Sequence, residues 1–144
     1  SILRLIHYPA LKDRYIEGGV RSAAHEDINL ITLLPAATQS GLQLLDREGN
    51  WRAVEAEPGE IVADAGDMLS RHVTLKIPST THRVVNPDSP DSVRYSMPFF
   101  CHPRPEVLLD CPAALLGPGE RKMFEPITAH DYLMRRLREI GLIK

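Results

Sequence analysis

The stretch Gly18-Gly-Val-Arg-Ser-Ala-Ala-His25-Glu-Asp27, which precedes the mostly apolar run Ile28–Leu34, carries the most informative pattern of this chain. In an extended strand, residues i and i+2 point to the same face, so a strand here presents His25 and Asp27 side by side. A second histidine, His82, follows later in the chain. Two imidazoles and one carboxylate are the ligands that hold non-haem Fe(II) on one face and leave other positions open. We therefore predict a metal site formed by His25, Asp27 and His82.

Arg94 and Ser96 repeat the i, i+2 spacing on a later strand pattern that continues into the apolar residues Met97–Phe100. A guanidinium offers a planar fork of N–H donors, and the neighbouring hydroxyl adds one more donor. This pair suits the carboxylate of a small organic acid. A set of metal ligands followed by a carboxylate clamp indicates an oxygenase.

Further stretches support this hypothesis because they follow one another in the same order as in a known family. The chain resembles the catalytic C-terminal half of the bacterial isopenicillin N synthase-like iron/2-oxoglutarate-dependent dioxygenases over roughly residues 2–141. The resemblance is specific for the family and does not indicate a substrate. The matching stretches are Gly18–Asp27, Ile31–Leu34, Gly41–Leu44, Gly66–Leu69, Ser79–Val84 and Arg94–Phe100.

The resemblance implies Fe(II), 2-oxoglutarate as a co-substrate, and O2. It also implies that a small-molecule substrate is hydroxylated, desaturated or cyclised while 2-oxoglutarate is converted to succinate and CO2. Arg94 and Ser96 would hold the far carboxylate of 2-oxoglutarate, and Tyr8 matches a tyrosine that assists them in relatives. Ile6 stands where some relatives have a polar asparagine, and Asp64 stands where they often have another asparagine. We expect the Asp64 difference to leave the metal ligands and the clamp unaffected.

Three other functions remain open from the sequence. The first is an iron oxidase that needs no oxo-acid, because some relatives have the same metal and clamp residues but use other electron sources. A metal-binding but inactive fragment is the second alternative, and a cupin-like small-molecule binder without a redox role is the third. The cupin-like binder should lack the oxo-acid clamp that Arg94 and Ser96 predict here.

Short apolar runs that alternate with turn residues predict a mainly β protein of the sandwich or barrel type. The family resemblance implies a double-stranded β-helix, or jelly roll, that occupies residues 1–144 as one catalytic domain. The hairpin loop Asp46–Asn50 contains residues that tolerate positive φ. The predicted strands are Leu3–Tyr8, Asn29–Leu34, Leu42–Leu45, Trp51–Val54, Glu60–Ala63, Thr81–Val85 and Arg94–Phe100.

Two helices are predicted, and the longer of them ends the chain at about residues 128–141. Thr128 and Asp131 form an acidic variant of the capping box, and Gly141 is a natural stop signal. The basic residues Arg135, Arg136 and Arg138 are interpreted as a solvated face near the C-terminal end of the helix dipole. A short helical segment through Met68–Arg71 should open at Gly66-Asp67.

The composition is that of an ordinary globular protein, with 43% hydrophobic and 25% charged residues and a formal net charge of −2. This charge gives no electrostatic reason to expect binding to nucleic acid or to an anionic membrane. No N-terminal signal pattern is visible, so a cytoplasmic location is expected. Cys101 and Cys111 are predicted to be reduced thiols, since a zinc site that used them with His102 would lack a fourth ligand.

The chain enters a strand pattern at Leu3, whereas members of the resembled family carry a further N-terminal region of helices and strands. The sequence therefore predicts a fragment, and a sheet face that the N-terminal region would otherwise cover. Large apolar patches rarely stay bare on monomers. We expect an exposed face of this kind to drive self-association.

Overall fold

Short antiparallel strands form most of the computed structural model, which describes residues 1–13 and 16–144, with the backbone alone for residue 13. Two α-helices accompany them, α1 (Asp67–His72) and α2 (Ala129–Glu139), with two single-turn 3-10 helices at Leu11–Asp13 and Ala113–Leu115. The strands are β1 (Ile2–Leu3), β2 (Ile6–Tyr8), β3 (Ser22–His25), β4 (Ile31–Pro35), β5 (Leu42–Leu45), β6 (Trp51–Ala53), β7 (Ile61–Ala65), β8 (His82–Val84), β9 (Arg94–Ser96), β10 (Phe99–Cys101), β11 (Leu108–Leu109) and β12 (Ile127–Thr128).

Two four-stranded sheets face each other across a cavity. The first has the strand order β1-β10-β4-β7 and the second the order β3-β8-β5-β6, and every pairing is antiparallel. The pair β2-β9 lies beside them and contributes side chains to the same cavity. Apart from the β5-β6 and β11-β12 pairs, consecutive strands lie in different sheets, as in a jelly roll, and the predicted fold is confirmed.

Two of the predicted strands are each divided in the structure. The predicted strand Leu3–Tyr8 is split into β1 and β2, and the predicted strand Arg94–Phe100 into β9 and β10. Each half pairs in a different sheet, so the chain turns a corner at both places. Pro98 explains the second break because proline has no N–H to donate to a ladder. The carbonyl oxygen of Pro98 instead accepts a hydrogen bond from Arg4 N at 3.0 Å, which holds the two corners together.

The remaining predicted strands are confirmed, with ends that move by up to two residues. The predicted hairpin loop is present as well, since Leu45 and Trp51 are paired and Gly49 has a φ of 83°. The short strands β11 and β12 were not predicted. Each contains only two residues, too few for an alternating pattern.

Both predicted helices are present. The hydroxyl of Thr128 accepts a hydrogen bond from Asp131 N at 3.0 Å and donates to the Asp131 carboxylate at 2.7 Å, which confirms the capping box at the start of α2. The residue Gly141 has a φ of 74° and lies just beyond the helix end. The prediction for the basic residues is wrong at Arg136, whose Nε lies 3.2 Å from the nearly buried carboxylate of Asp67.

The apolar core lies at one end of the sheets, where α1, the β11-β12 pair and α2 meet. Its buried residues are Met68, Leu109 and Ala129, and half-buried apolar side chains such as Ile28 pack around them. The α1 helix begins at Gly66, where a Cβ atom would lie 2.2 Å from the carbonyl oxygen of Asn29, so only glycine fits. None of these core residues lines the cavity between the two sheets.

In the described ranges, no helix is long and apolar enough to cross a membrane.

Candidate metal centre and active site

The three predicted metal ligands come together, although not on one strand. The strand β3 ends at His25, and Asp27 lies two residues beyond its end. Strand β3 pairs with β8 so that His25 is directly opposite His82, and the two ring centroids are 4.4 Å apart. The side chains of His25, Asp27 and His82 offer one ligand atom each, and these atoms all lie within 4.8 Å of one another.

Backbone contacts orient both imidazoles toward the carboxylate. The Nδ1 atom of His25 lies 2.7 Å from the carbonyl oxygen of Ala23, and the Nδ1 atom of His82 lies 3.0 Å from that of Thr80. A carbonyl only accepts, so each Nδ1 is the donor, which favours the tautomer whose Nε2 lone pair can bind a metal. The two Nε2 atoms lie 3.9 and 4.0 Å from Asp27 Oδ1.

A buried chain of hydrogen bonds fixes the Asp27 carboxylate. The hydroxyl of Thr32 donates to Asp27 Oδ2, and the amide of Asn29 donates to the Thr32 hydroxyl at 2.8 Å. All three residues are buried, and Asn29 is only 1% exposed. The Oδ1 atom of Asp27 is thereby directed toward the histidines. The sequence analysis treated the stretch that holds Asn29 and Thr32 as a mostly apolar strand and missed this role.

Asp64 also approaches the metal ligands, contrary to the expectation that its difference from relatives would leave them unaffected. Its Oδ2 lies 3.5 Å from Nδ1 of His82, on the ring nitrogen that faces away from Asp27. Burial raises the pKa of the Asp64 carboxyl, and the neighbouring His82 opposes that rise. A carboxylate beside the Nδ1 proton of a ligand histidine increases the basicity of Nε2.

The donor set fits a divalent metal of the Fe(II) type. Two neutral imidazole nitrogens and one carboxylate oxygen, all on one side of the ion, are the ligands of non-haem Fe(II) sites that leave positions open for other molecules. The fit rests on the arrangement of the donors, because each has a lone pair directed at the same small volume and each is held by a second contact.

The predicted clamp residues lie on the paired strands β2 and β9 and face the same cavity. Tyr8 is opposite Arg94, and Ile6 is opposite Ser96. Arg94 is only 2% exposed, its Nε donates to the carbonyl oxygen of Gln39 at 3.0 Å, and its Nη1 is buried without a hydrogen-bond partner. The guanidinium carbon lies 5.2 Å from the centre of the Tyr8 ring. A buried guanidinium with a free donor is suited to a carboxylate ligand.

One cavity of ≈380 Å³ contains both groups of residues. Its wall carries the metal-ligand residues His25, Asp27 and His82 as well as the clamp residues Tyr8, Arg94 and Ser96. Phe100 also lines this cavity, whereas Phe99 on the opposite face of the strand is 38% exposed. The other lining residues are Arg4, Ile6, Arg21, Ser22, Thr32, Leu34, Leu42, Leu44, Val54, Val62, Ala63, Asp64, Thr80, Val84 and Pro98.

Arg21 also lines the cavity, and the sequence pattern did not predict this role. It lies just before β3, and its Nη2 donates to the carbonyl oxygen of Ser92. Its guanidinium carbon lies 5.8 Å from the centre of the Tyr8 ring, which Arg94 also contacts. The quoted stretch did contain an arginine four residues before His25, but nothing in the pattern distinguished it from a surface residue.

Comparison with known proteins identifies the family. A family model described as the 2OG-Fe(II) oxygenase superfamily matches residues 1–103, which is more than half of the chain. The chain belongs to the 2OG-Fe(II) oxygenase superfamily. This finding confirms the family that the sequence analysis predicted. Members of this superfamily need Fe(II) as cofactor and 2-oxoglutarate and O2 as co-substrates.

The oxygenase relatives include fungal proteins and bacterial structures. A 2-oxoglutarate-Fe(II) type oxidoreductase of Aspergillus fumigatus is 33% identical over 139 residues, which cover 96% of this chain and 41% of the relative. A crystal structure of a 2OG-Fe(II) oxygenase family protein from Caulobacter crescentus has a TM-score of 0.86 and 41% identity, covering 96% of this chain and 45% of that chain.

A third relative was crystallised with an oxo-acid. Full-length Neurospora crassa T7H in complex with alpha-KG has a TM-score of 0.85 and 31% identity, covering 96% of this chain and 44% of that chain. The present chain thus spans less than half the length of the relatives that it matches.

Proposed function

We propose that residues 1–144 form the catalytic domain of a Fe(II)- and 2-oxoglutarate-dependent dioxygenase. The observation that carries this proposal is that three metal-type ligands and a buried arginine with an unpaired donor line the same ≈380 Å³ cavity. Its substrate is a small molecule, which the enzyme hydroxylates, desaturates or cyclises. When bound, Fe(II) and 2-oxoglutarate supply the activation of O2 that oxidises this molecule, with release of succinate and CO2.

In the proposed mechanism, His25, Asp27 and His82 hold the iron from one side. The backbone carbonyls of Ala23 and Thr80 keep each histidine in the tautomer whose Nε2 can bind metal. The hydroxyl of Thr32, itself held by the Asn29 amide, fixes the carboxylate of Asp27. Ligands held in this way would bind the iron while leaving it accessible to the oxo-acid from the cavity.

At the other end, Arg94, Ser96 and Tyr8 bind the distal carboxylate of 2-oxoglutarate. The guanidinium is already desolvated and anchored through Nε, so it loses little freedom when a carboxylate arrives. A charge-assisted hydrogen bond here contributes about 1.5–3 kcal/mol, which favours a dicarboxylate over a monoacid. The apolar side chains between the two ends, including Leu44, Val62 and Phe100, exclude water from the reacting centre.

The test measures how much succinate forms for each O2 consumed. Purified protein is supplied with Fe(II), ascorbate and 2-oxoglutarate, and both O2 uptake and succinate are measured with and without a pool of small metabolites. We expect succinate formation that requires 2-oxoglutarate and rises when a substrate is present. O2 uptake without succinate would favour the oxidase alternative. Metal binding with neither O2 uptake nor succinate would favour an inactive domain.

We also propose that the chain self-associates through the outer face of the first sheet. Leu3, Phe99 and Leu33 lie side by side in the strand register on this face, and Leu3 is 60% exposed. Contiguous apolar patches of this kind favour association. Light scattering at micromolar concentration should show a dimer or larger species that Leu3→Lys dissociates. A wild-type monomer under these conditions would contradict this part of the proposal.

The cytoplasmic location that the sequence predicts is part of the same proposal. Cys101 and Cys111 are free thiols in the structure, and free thiols are the usual state of cysteine in a reducing compartment. Fractionation of cells that make the natural protein would test this location.

A further inference from the structure

Two arginines lie against one tyrosine at the clamp end of the cavity. The guanidinium carbons of Arg94 and Arg21 lie 5.2 and 5.8 Å from the centre of the Tyr8 ring, both within the range of a cation–π contact. Tyr8 and Arg94 are paired across β2 and β9, whereas Arg21 comes from the segment that leads into β3. Three separate parts of the chain therefore meet at this end.

Arg21 is held firmly in this position. Its Nη2 donates to the carbonyl oxygen of Ser92, two residues before Arg94. The preceding backbone is fixed as well, because the amide of Asn86 donates to the carbonyl oxygen of Gly19 at 2.6 Å. These contacts tie the start of β3 to the start of β9, so Arg21 cannot swing away to solvent without breaking them.

In the described part of the chain, neither guanidinium is paired with an acidic side chain. The Nε and Nη1 atoms of Arg21 and the Nη1 atom of Arg94 are buried without hydrogen-bond partners. None of the ion pairs formed by the described residues includes either arginine. Burial lowers the pKa of both guanidiniums, yet arginine stays protonated in proteins. Such an arrangement is costly unless an anion binds there.

We propose that Arg21 is a positioning and specificity-determining residue for the oxo-acid: it holds the Tyr8 ring beside Arg94 and adds a second positive charge that selects an anionic tail. This inference rests on the proposed function. The effect of Arg21 is confined to the end of the cavity that receives the distal carboxylate. An oxo-acid whose tail lacks that carboxylate gains nothing from Arg21, while a dicarboxylate such as 2-oxoglutarate does.

The experiment compares two ligands in matched variants. Anaerobic protein with Fe(II) is titrated with 2-oxoglutarate and with 2-oxobutanoate, a monoacid that lacks the distal carboxylate, and binding is followed by the visible absorption of the complex. For Arg21→Gln we expect 2-oxoglutarate to bind about tenfold more weakly, the scale of one desolvated cation–π contact, with little change for the monoacid. Arg47→Gln removes the same charge from an exposed hairpin loop and is the control.

Two further variants separate the contributions of Arg21. Arg21→Lys keeps the charge, so it should recover part of the preference for the dicarboxylate. In a Tyr8→Leu background the effect of Arg21→Gln should shrink, because residues that act together give non-additive losses. Full additivity would overturn the positioning role through Tyr8, and a lysine variant that folds normally but recovers nothing would overturn the charge role.

The remaining outcomes distinguish this inference from the proposed function. If the wild type binds 2-oxoglutarate and Arg21→Gln binds it equally well, the inference alone is wrong. An equal loss of both acids would mean that Arg21 only supports the fold, and the inference is again wrong. If the wild-type protein binds no 2-oxoglutarate at all, the proposed function fails and the inference fails with it.

Discussion

The two ends of the cavity differ in charge and in hydrogen bonding: one carries ligands for a cation and the other carries donors for an anion. At the metal end, every potential ligand has a second hydrogen-bond contact, and the hydroxyl of Thr32 stabilises the Asp27 carboxylate. At the clamp end, Arg94 and Arg21 keep donors that are buried and unpaired. The metal end therefore fixes the direction of the ligand lone pairs, whereas the clamp end offers unpaired, positively charged donors to an anion.

This difference shows how the same fold can hold a cation and an anion a short distance apart. A metal ion needs ligands whose geometry is set in advance, since it binds through directed lone pairs. A carboxylate needs donors that are desolvated but still free, since a solvated arginine would first have to lose its water. Predictions that affect one end and leave the other unchanged test this division directly.

The largest effect is expected from the metal ligands. Replacing His25 or Asp27 with alanine should lower the affinity for Fe(II), or for an inert divalent substitute, by at least about a hundredfold, since losing a ligand should cost no less than losing a residue that only orients one. Calorimetry measures this loss, and His130→Ala on the exposed start of α2 is the matched control. Unchanged stoichiometric binding in the ligand variants would contradict the assignment.

The second prediction concerns Arg94. Lysine keeps the charge but cannot form the planar, bidentate contact, so Arg94→Lys should weaken 2-oxoglutarate binding roughly ten- to a hundredfold. Metal affinity should stay close to that of the wild type, because Arg94 contacts none of the three ligands in the structure. Loss of metal with retained oxo-acid binding would mean that the roles of the two ends are reversed.

The sequence predicted the residues of these two ends that belong to short local patterns, but not the residues that reach the site from distant segments. The residues His25, Asp27 and Arg94 belong to short patterns in which spacing alone indicates chemistry, so they could be named in advance. Their supporting contacts could not be predicted, because no local pattern shows them: Asp64 reaches His82 through the pairing of β7 with β4, and Arg21 reaches the Tyr8 ring from a distant segment. Thr32 offered a weak signal, as a polar residue within an apolar run.

The fold shows the same limit. Short apolar runs between turn residues predicted the strands, but one strand was predicted over Arg94–Phe100 although the chain changes sheets at Pro98. Only the missing N–H of proline marked that corner in the sequence. The prediction that one strand carries His25 and Asp27 was wrong, because β3 ends at His25. The hydroxyl of Thr32 fixes the Asp27 carboxylate, and the pairing of β3 with β8 brings His82 opposite His25.

A third, smaller effect is expected from Thr32. The variant Thr32→Val keeps the shape of the side chain and removes the hydroxyl that donates to Asp27. Residues that orient metal ligands typically contribute ten- to a hundredfold to metal affinity, and we expect about tenfold here. Oxo-acid discrimination by Arg94 should not change. The matched control Thr38→Val removes another hydroxyl contact, that with Tyr95 N, outside the metal end.

The smallest effect should come from the outer support of the metal end. The backbone N of Asp67 donates to the carbonyl oxygen of Asp27 at 2.8 Å, and Arg136 of α2 lies 3.2 Å from the Asp67 carboxylate. Asp67 is 7% exposed, while the Arg136 side chain is about a third exposed. Arg136→Met should therefore lower the free energy of unfolding by about 1–2 kcal/mol, between the values for exposed and buried pairs.

The pH dependence of this loss identifies its cause. Burial raises the pKa of the Asp67 carboxyl, and Arg136 opposes that rise. Without Arg136 the folded-state pKa rises further, so folding favours the protonated acid and the loss is present above that pKa. It should shrink as the pH falls through the raised folded pKa, where Asp67 becomes neutral. Denaturant unfolding at several pH values measures this, with the exposed Arg138→Met as the control. A loss that does not vary with pH would mean that Arg136 acts by packing alone.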